Sequence, residues 1–290
     1  MEDHAALAYT WPGPVARCLD ALSASAVRPP ILGVGVLSIS AVIPAYNEAL
    51  IIASTVEAVN ETLARLVDDY EVIVVNDGSR DATPRIVEEL GRQHPAVRLV
   101  SHAVNQGYGA TLATGFAAAS REYIFLTDGD RQFAVEELAG FLPMLDHVDM
   151  VVGYRRPRAD PLVRRFYGWG WNQLVNTLFG YTARDVDCAF KLFPRRLLED
   201  VRLHSTGHTL SPELLIKARR AGYRIAEVRV THLPRTLGQA KGARIDHIVR
   251  SLLELAKLRL DLAGTQPARR HATSGPATPP PATNPPVQRQ

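Results

Sequence analysis

The stretch at residues 123–132 constrains this chain more than any other. It starts as an apolar strand and ends in two carboxylates, Asp128 and Asp130, with only Gly129 between them. Parallel sheets bind ligands at the carboxyl ends of their strands. Paired carboxylates with Gln132 close by suit a hard divalent cation that also holds a diphosphate. A solvated turn is the alternative interpretation, because Asp-Gly is common turn chemistry.

Strand and helix patterns alternate on both sides of this stretch. Apolar residues at helical spacing separate short apolar runs, which predict strands at 37–43, 70–75, 97–100, 123–126 and 149–153. This alternation predicts an α/β fold with a mainly parallel sheet flanked by helices.

Local signals predict where several elements begin or end. Pro44 should stop the first strand, because proline has no amide hydrogen for the ladder. Thr83 should cap a helix that has Pro84 in its first turn. Apolar residues at 135, 138, 142 and 145 predict one further helix.

The predicted strands end in three polar loops. The first holds residues 44–48, the second holds Asp77, and the third holds Asp128 and Asp130. The carboxyl ends of parallel strands share one edge of a sheet, so these loops should converge on a single ligand site.

Composition indicates the class of protein and its compartment. The 290 residues are 46% apolar and 22% charged, as in globular chains, and a net charge of +3 is too small to argue for nucleic-acid binding by itself. The two cysteines form neither a disulfide framework nor a metal-ligand spacing. No apolar run approaches the ~20 residues of a membrane span, and the acidic N-terminus lacks a signal peptide's basic start. We therefore expect a cytoplasmic protein, soluble or peripheral to the inner face of the cell membrane.

The two ends of the chain differ from its middle. Residues 1–36 show no clear period, so we expect a flexible leader. Residues 264–290 are rich in proline, alanine and threonine and should form a disordered tail, because they bury too little apolar surface to become ordered. One domain is predicted at 37–263, divided into halves at 37–153 and 154–263.

Motifs in both halves carry a family resemblance. The chain resembles a family 2 glycosyltransferase of the GT-A fold in three motifs with the same order and spacing: Val42-Ile-Pro-Ala-Tyr-Asn-Glu48, Val74-Val-Asn-Asp-Gly-Ser79 and Asp128-Gly-Asp130. It resembles the dolichol-phosphate mannosyltransferase branch, which glycosylates polyprenyl phosphates, in later motifs: Gly153-Tyr-Arg155, Asp187-Cys-Ala-Phe-Lys191, Glu213-Leu-Leu, and His232-Leu-Pro-Arg235 with Lys241. The resemblance implies that the first half binds a nucleotide sugar and the second half binds the acceptor.

The resemblance also implies roles for single residues. Asp128 and Asp130 would be catalytic and, with Gln132, would hold Mg²⁺ or Mn²⁺. Arg155 would contact the acceptor phosphate. We predict the same contact for Arg165, because it belongs to the arginine run described below. The GDP- or UDP-linked sugar would be bound by a larger set: Pro44, Ala45, Tyr46, Glu48, Val75, Asp77, Asp128, Gly129, Asp130, Gln132, Arg235 and Lys241.

Some of these residues have a second interpretation. Asp77 can accept hydrogen bonds from a base, or it can form a turn or cap a helix. Tyr46 can lie against the base or ribose, or it can be a half-buried aromatic residue. Arg235 and Lys241 can hold the donor phosphates from a loop that closes, or they can be solvated surface charges.

An arginine run precedes an aromatic segment. Arginines at 155, 156, 158, 164 and 165 are relieved only by Asp160, and residues 166–171 contain four aromatic rings. Arginine suits phosphate and amphipathic rings suit a membrane–water interface, so we predict a polyprenyl phosphate acceptor, contact with a membrane surface without spanning it, and no nucleic-acid partner. A nucleic-acid groove or a plain basic surface is the alternative.

The acceptor decides the chemistry. A phosphate monoester is already anionic near neutral pH, so its glycosylation needs positioning and charge compensation rather than a strong base. We predict a single inverting displacement. The histidines at 102, 208, 232 and 247 form no dyad and are assigned structural or surface positions. A sugar hydroxyl acceptor would require a base, for which Asp187 is the candidate.

The last apolar segment and the rival functions remain open. Residues 244–263 predict a helix that lies in a membrane interface or packs on the body or on a second subunit. One rival function is the same chemistry on a soluble or polysaccharide hydroxyl. Another is a non-catalytic protein that binds nucleotide sugars or nucleic acid.

Overall fold

The computed structural model describes residues 37–156, 158–235 and 245–263. The predicted leader at 1–36, the predicted tail at 264–290 and Lys241 lie outside the described residues. Within these ranges one sheet contains seven strands: β1 Ser38–Ala45, β2 Asp69–Asn76, β3 Val97–Ser101, β4 Tyr123–Leu126, β5 Met150–Arg155, β6 Lys191–Pro194 and β7 Ile225–Val230.

Helices connect these strands and follow the last one. They are α1 Ile52–Leu66, α2 Thr83–Gln93, α3 Tyr108–Ala118, α4 Leu162–Phe179, α5 Leu197–Asp200, α6 Leu210–Arg220 and α7 Ile245–Ala263, with two 3-10 helices at Val135–Gly140 and Leu142–Asp146. No helix in the described ranges combines the length and the apolar character needed to cross a bilayer.

The order of the strands across the sheet is β3-β2-β1-β4-β6-β5-β7. Neighbouring strands are parallel except at β6, which is antiparallel to both β4 and β5. The mainly parallel α/β sheet is therefore confirmed. Because β6 is reversed, the loop that precedes it lies at the same edge as the carboxyl ends of the other strands. We call this edge the ligand rim.

Apolar periodicity produced the expected packing in the first half. Helix α1 fully buries Ile52, Val56 and Leu63, which are spaced by one turn or multiples of it. Helix α3 lies close to the sheet because residue 115 is glycine: a Cβ there would lie 2.4 Å from Val42 Cγ1. The small side chains of α3 thus bring its N-terminal end close to the ligand rim.

Three predicted element boundaries were wrong. Strand β1 continues through Pro44, which lies opposite Val75, because proline removes only one ladder donor near the strand end. Thr83 is the first residue of α2 rather than its cap, since its amide already donates to Asp81 Oδ1 at 3.0 Å. The predicted helix at 135–145 is two 3-10 helices, because Pro143 has no amide hydrogen to continue an α-helical ladder.

Candidate functional site

The strand order fixes the sequence of side chains along the ligand rim. Asp77 follows β2, Ala45 ends β1 and Asp128 follows β4. Beyond Asp128 come Asp187, in the loop before β6, and Arg155, at the end of β5. The predicted residues of both halves therefore lie along one edge of one sheet.

Asp128 and Asp130 lie in the tight loop after β4. Gly129 is required there, because a Cβ on it would lie 2.9 Å from the carbonyl oxygen of Pro44. Burial raises the pKa of Asp128, and burial together with the charge of Asp128 raises the pKa of Asp130 to about 7. Two close carboxylates thus share a buried loop with little positive charge to offset them.

These two carboxylates form the best-fitting cation site in the part of the chain that the structure describes. No group of three or more His, Cys, Asp or Glu side chains suited to a metal ion occurs in the described ranges. Raised carboxylate pKa values are what a cation would reverse, because bound positive charge favours the ionised form. Asp128 and Asp130 offer hard oxygen donors and would fit a divalent cation.

Gln132 connects this pair to the loop after β7, which contains Leu233. The backbone amide of Gln132 donates to Asp130 Oδ1 at 3.2 Å, and its side-chain amide donates to the carbonyl of Leu233 at 3.0 Å. The amide of Leu233 donates in turn to the carbonyl of Gln132 at 2.8 Å. Gln132 therefore fastens the loop after β7 to the carboxylate loop, and metal ligation by its side chain stays a prediction.

The first polar loop, residues 44–48, contacts the same loop after β7 through an ion pair. Arg235 Nη2 lies 2.8 Å and 2.9 Å from the two carboxylate oxygens of Glu48. Its positive charge also lowers the pKa of Asp130, against the larger opposing effects of burial and Asp128. Arg235 is thus placed between the first and third polar loops, and Tyr46 is half-buried two residues before Glu48.

Asp77 has a fully formed set of hydrogen bonds. Its carboxylate accepts the amide hydrogens of Gln106 at 2.8 Å and Gly107 at 2.9 Å, and Oδ1 lies 2.8 Å from His102 Nδ1. These bonds fix the two residues that precede helix α3, and they are not a helix cap, because neither amide belongs to the helix itself. The contact of Asp77 with a base stays a prediction, as does that of the neighbouring Val75, which is buried in β2.

Tyr108 joins the predicted residues although the sequence gave no reason to single it out. Its hydroxyl donates to Asp128 Oδ1 at 3.0 Å, and its ring stacks on the exposed His208 with centroids 5.4 Å apart. Burial raises the pKa of Tyr108, and the charges of Asp128, Asp187 and Asp130 raise it further. The hydroxyl therefore remains protonated among three carboxylates.

Asp187, in the loop before β6, influences this tyrosine electrostatically. Trp171 of helix α4 donates its indole hydrogen to Asp187 Oδ1 at 3.2 Å. Burial raises the pKa of Asp187 and the charge of Asp185 raises it further, whereas Arg155, Lys191 and His208 lower it. A half-buried carboxylate with a raised pKa beside Tyr108 therefore belongs to the same site as Asp128.

The arginine run is more neutralised than its sequence indicates. Arg155 donates from Nε and Nη2 to the carboxylate of Asp185, each at 2.7 Å, inside the protein. Arg158 lies 3.0 Å and Arg164 3.4 Å from Asp160. The expectation that only Asp160 relieves the run was wrong, because Asp185 arrives from a distant loop.

Arg155 and Arg165 have different surroundings, although both are predicted to contact the acceptor phosphate. The side chain of Arg155 is 15% exposed in its ion pair. Arg165 lies on the exposed first turn of α4, close to the rings of Phe166 and Trp169, which are 68% and 58% exposed. Arg155 is thus largely buried in the second half, whereas Arg165 is at its surface.

Comparison with known proteins adds to this geometry. A family model described as "Glycosyl transferase family 2" matches residues 40–202. The chain is 30% identical over 223 residues to a dodecaprenyl-phosphate galacturonate synthase of Rhizobium johnstonii, with 76% of this chain and 65% of that protein covered. It is 31% identical over 208 residues to a dolichyl-phosphate hexose transferase of Haloferax volcanii, with 70% and 86% covered. The chain thus spans slightly less than two thirds of the Rhizobium relative.

Solved structures share the fold. The chain superposes with a TM-score of 0.62 on a glucosyl-3-phosphoglycerate synthase from Mycobacterium tuberculosis in complex with Mn²⁺, uridine diphosphate and phosphoglyceric acid, at 21% identity and with 88% and 85% of the two chains covered. It superposes with a TM-score of 0.61 on a mannosyl-3-phosphoglycerate synthase from Rubrobacter xylanophilus, at 16% identity and with 86% and 77% covered. Sheet topology, the matched motifs and the family model agree that the chain has the GT-A fold and belongs to glycosyl transferase family 2.

Proposed function

We propose that this protein transfers a sugar from a nucleoside diphosphate sugar to a polyprenyl phosphate at the cytoplasmic face of a membrane. The buried pair of Asp128 and Asp130 at the ligand rim carries the proposal, because it is suited to a cation and a diphosphate. The names of relatives such as the dolichyl-phosphate hexose transferase support the acceptor.

Residues of the chain would bind the donor from several sides. Asp128 and Asp130 would hold a divalent cation, with Gln132 as a further ligand. That cation would neutralise charge on the leaving diphosphate. Arg235 already lies between the first and third polar loops and would add a fixed positive charge, as would Lys241 from the part of the chain that the structure does not describe.

The acceptor would approach from the side of Asp187 and Arg155. A phosphate oxygen is already anionic, so the protein needs to orient it rather than remove a proton. Arg165 would attract the phosphate from the exposed end of α4, and Arg155 would contribute charge from within. Direct attack on the anomeric carbon gives inversion in one displacement, and a retained configuration in the product would exclude it.

Exposed apolar side chains support contact with a membrane surface. Helix α4 presents Val163, Phe166 and Trp169, and the neighbouring α7 presents Leu253 and Leu260 with more than half of each side chain exposed. Aromatic rings next to arginines suit the interface between lipid and water. This surface is where a polyprenyl phosphate would be reached.

An assay with purified protein tests the reaction. UDP- and GDP-linked hexoses are offered with a prenyl phosphate and Mn²⁺ or Mg²⁺, for wild type and Asp130→Asn. We expect a prenyl-linked sugar from the wild type with at least one donor, and loss of that product in the variant. Wild-type protein that forms no product with any donor in this panel would exclude the proposed reaction.

Vesicle flotation tests the membrane surface separately. Val163 and Val104 are both 67% exposed, but only Val163 lies on α4. Val163→Ser combined with Trp169→Ser should reduce flotation with anionic vesicles, whereas Val104→Ser should float like the wild type. Equal flotation of all three proteins would exclude this surface.

Asp187 supports a second candidate, the same enzyme class acting on a soluble or polysaccharide hydroxyl. Its raised pKa is the property expected of a general base. Product formation with a sugar hydroxyl acceptor and none with prenyl phosphate would favour this candidate over the lipid.

A further inference from the structure

The strand order determines on which side of Asp128 the transferred sugar lies. The loops after β1 and β2, which carry the predicted nucleoside-binding residues, lie on one side of β4. The loop before β6 lies on the other side. In a nucleotide sugar the diphosphate separates the nucleoside from the sugar. A diphosphate held at Asp128 and Asp130 therefore directs the sugar toward the loop before β6.

Three side chains, Tyr108 from the start of α3 and two from the second half, are candidates for this place. Tyr108 reaches Asp128 with its hydroxyl and stacks its ring on His208. Asp187 is close enough to Tyr108 to affect it electrostatically, and His208 is close enough to affect Asp187. An aromatic pair thus lies beside the carboxylate loop, and the carboxylate of Asp187 acts on it electrostatically from the loop before β6.

We propose that Tyr108, Asp187 and His208 form the subsite for the hexose ring of the donor, an inference that rests on the proposed function. Asp187 accepts hydrogen bonds from sugar hydroxyls, and His208 exchanges a hydrogen bond with another. The Tyr108 ring packs against the sugar, while its hydroxyl holds Asp128 in position. Tyr108 is therefore a positioning residue for Asp128 as well as one wall of the subsite.

The carboxylate of this subsite is held in place by helix α4. Trp171 donates to Asp187, and one turn of the helix further along, Asn176 donates to the carbonyl of Ala183 at 3.1 Å and accepts the amide hydrogen of Thr182 at 2.7 Å. These contacts order the loop before β6 without a ligand. Such preorganisation keeps the cost of binding a sugar low.

The loop that carries His208 is held equally firmly. A Cβ on Gly109 would lie 2.3 Å from the carbonyl oxygen of Gly207, so the loop and the start of α3 touch through their backbones. The buried carboxylate of Glu213 accepts the amide hydrogens of His204 and Ser205. His208 therefore reaches the Tyr108 ring from a fixed backbone.

Binding measurements separate the sugar from the rest of the donor. The probe is the UDP- or GDP-linked hexose that stabilises the wild type most in a thermal-shift panel with Mn²⁺, compared with its own nucleoside diphosphate. Asp187→Asn and His208→Ala should each weaken binding of the nucleotide sugar about tenfold, which is the loss of one hydrogen bond to a charged or strongly polar group. Binding of the nucleoside diphosphate should change less than about twofold.

Matched controls use the same residue types outside the subsite. His204→Ala changes an exposed histidine of the same loop, and Tyr167→Phe changes an exposed tyrosine of α4; both should bind like the wild type. Tyr108→Phe keeps the ring and loses the bond to Asp128, so it should weaken Mn²⁺ binding, measured by calorimetry with the diphosphate.

Each outcome decides the inference. The subsite is overturned if the two variants weaken binding of the nucleotide sugar and of the nucleoside diphosphate equally, or change neither. The proposed function stands in both cases. A wild type that binds no nucleotide sugar and no diphosphate overturns both. If Asp187→Asn does not fold, the exposed His208 carries the test, because its replacement removes no buried group.

Discussion

Asp77 and Asp130 follow β2 and β4, the two strands that flank β1, yet the fold satisfies the two carboxylates to different degrees. Asp77 accepts two backbone amide hydrogens and lies 2.8 Å from a His102 ring nitrogen. Asp130 accepts one backbone amide hydrogen and lies beside a second buried carboxylate, so its pKa rises to about 7. Asp77 is held by hydrogen bonds of the fold, whereas the charge of Asp130 destabilises the folded chain until a ligand compensates it.

The contrast shows that position at the ligand rim does not determine the role of an acid. The groups that satisfy Asp77 lie 25 to 30 residues later in the chain. No group of that kind reaches Asp130 in the described ranges except the amide of Gln132. A ligand site is thus found where the fold leaves charge uncompensated, rather than wherever a strand ends in an acid.

Asp130→Asn should have the largest effect of the variants, and that effect is on catalytic activity. The variant keeps the shape of the side chain and loses the charge that would hold a cation. We expect sugar transfer to fall by at least about a hundredfold, as when a group that stabilises developing charge is removed. Product formation with saturating donor measures it, and Glu89→Gln, an exposed carboxylate of α2, is the control.

The same variant should raise stability in metal-free protein. The pKa of Asp130 is about 7 in the folded state, against 3.8 for an ordinary aspartate, so between these values the folded state binds a proton that the unfolded state has released. Stability from this group therefore falls as pH rises through that window and stays low above it. Asp130→Asn should melt higher than wild type at neutral pH in EDTA, and the difference should shrink toward pH 4. An unchanged melting curve would contradict the assigned charge state.

Arg155→Gln should cause the largest loss of stability. The variant leaves the carboxylate of Asp185, which is 5% exposed, without its closest cation. Breaking a buried pair on one side costs about 3 kcal/mol. Urea unfolding measures the loss, and Arg165→Gln on the exposed turn of α4 should leave the midpoint unchanged. Equal midpoints for both variants would show that Arg155 is not tied to the fold.

Asp77→Asn changes the acid whose hydrogen bonds are satisfied by the fold. One oxygen acceptor is lost, and the amide of Gln106 or Gly107 is left with a weaker partner. We expect a decrease of about 2 kcal/mol in the free energy of unfolding. Melting curves at neutral pH in EDTA should shift downward for Asp77→Asn and upward for Asp130→Asn, and shifts in the same direction would contradict the difference between the two acids.

Glu71→Gln should have a somewhat smaller effect. Glu71 lies near the start of β2, at the opposite end of the strand from the ligand rim. Burial alone would raise the pKa of Glu71, but hydrogen bonds from Ser40, Ser120 and Arg98 lower it to about 2 from 4.5. The stabilisation is present above pH 4.5 and disappears as pH falls toward 2. Glu71→Gln should lose about 1 to 2 kcal/mol at neutral pH and nothing near pH 2. A loss of equal size at both pH values would contradict the assigned pKa.

Much of the first half could be predicted because its signals are local. Strand β4 has the predicted bounds, and the apolar face of α1 is buried as its spacing indicates. The family motifs also located the carboxylate pair that the structure leaves uncompensated. Periodicity and turn chemistry act over a few residues, which is the range that a sequence pattern reports.

The second half depends on contacts that no local pattern contains. Strand β6 was missed because Lys191 interrupts its apolar run, yet this lysine is fully buried and donates to the carbonyl of Val186 and to Ser211 Oγ. Tyr108 was missed because its partner Asp128 lies 20 residues away. The pairing of Arg155 with Asp185 was unpredictable for the same reason.

The C-terminal helix has a consequence for how the chain can be shortened. Arg250 Nη2 lies 2.6 Å from Thr206 Oγ1, and Glu254 lies against Gly207, where a Cβ would be 2.9 Å from its carboxylate. Removing α7 to abolish adhesion to lipid would therefore also release the backbone beside His208. The truncated protein would lose turnover even in detergent, because the loop beside His208 would no longer be held by α7. This helix therefore supports the site whether or not a bilayer is present.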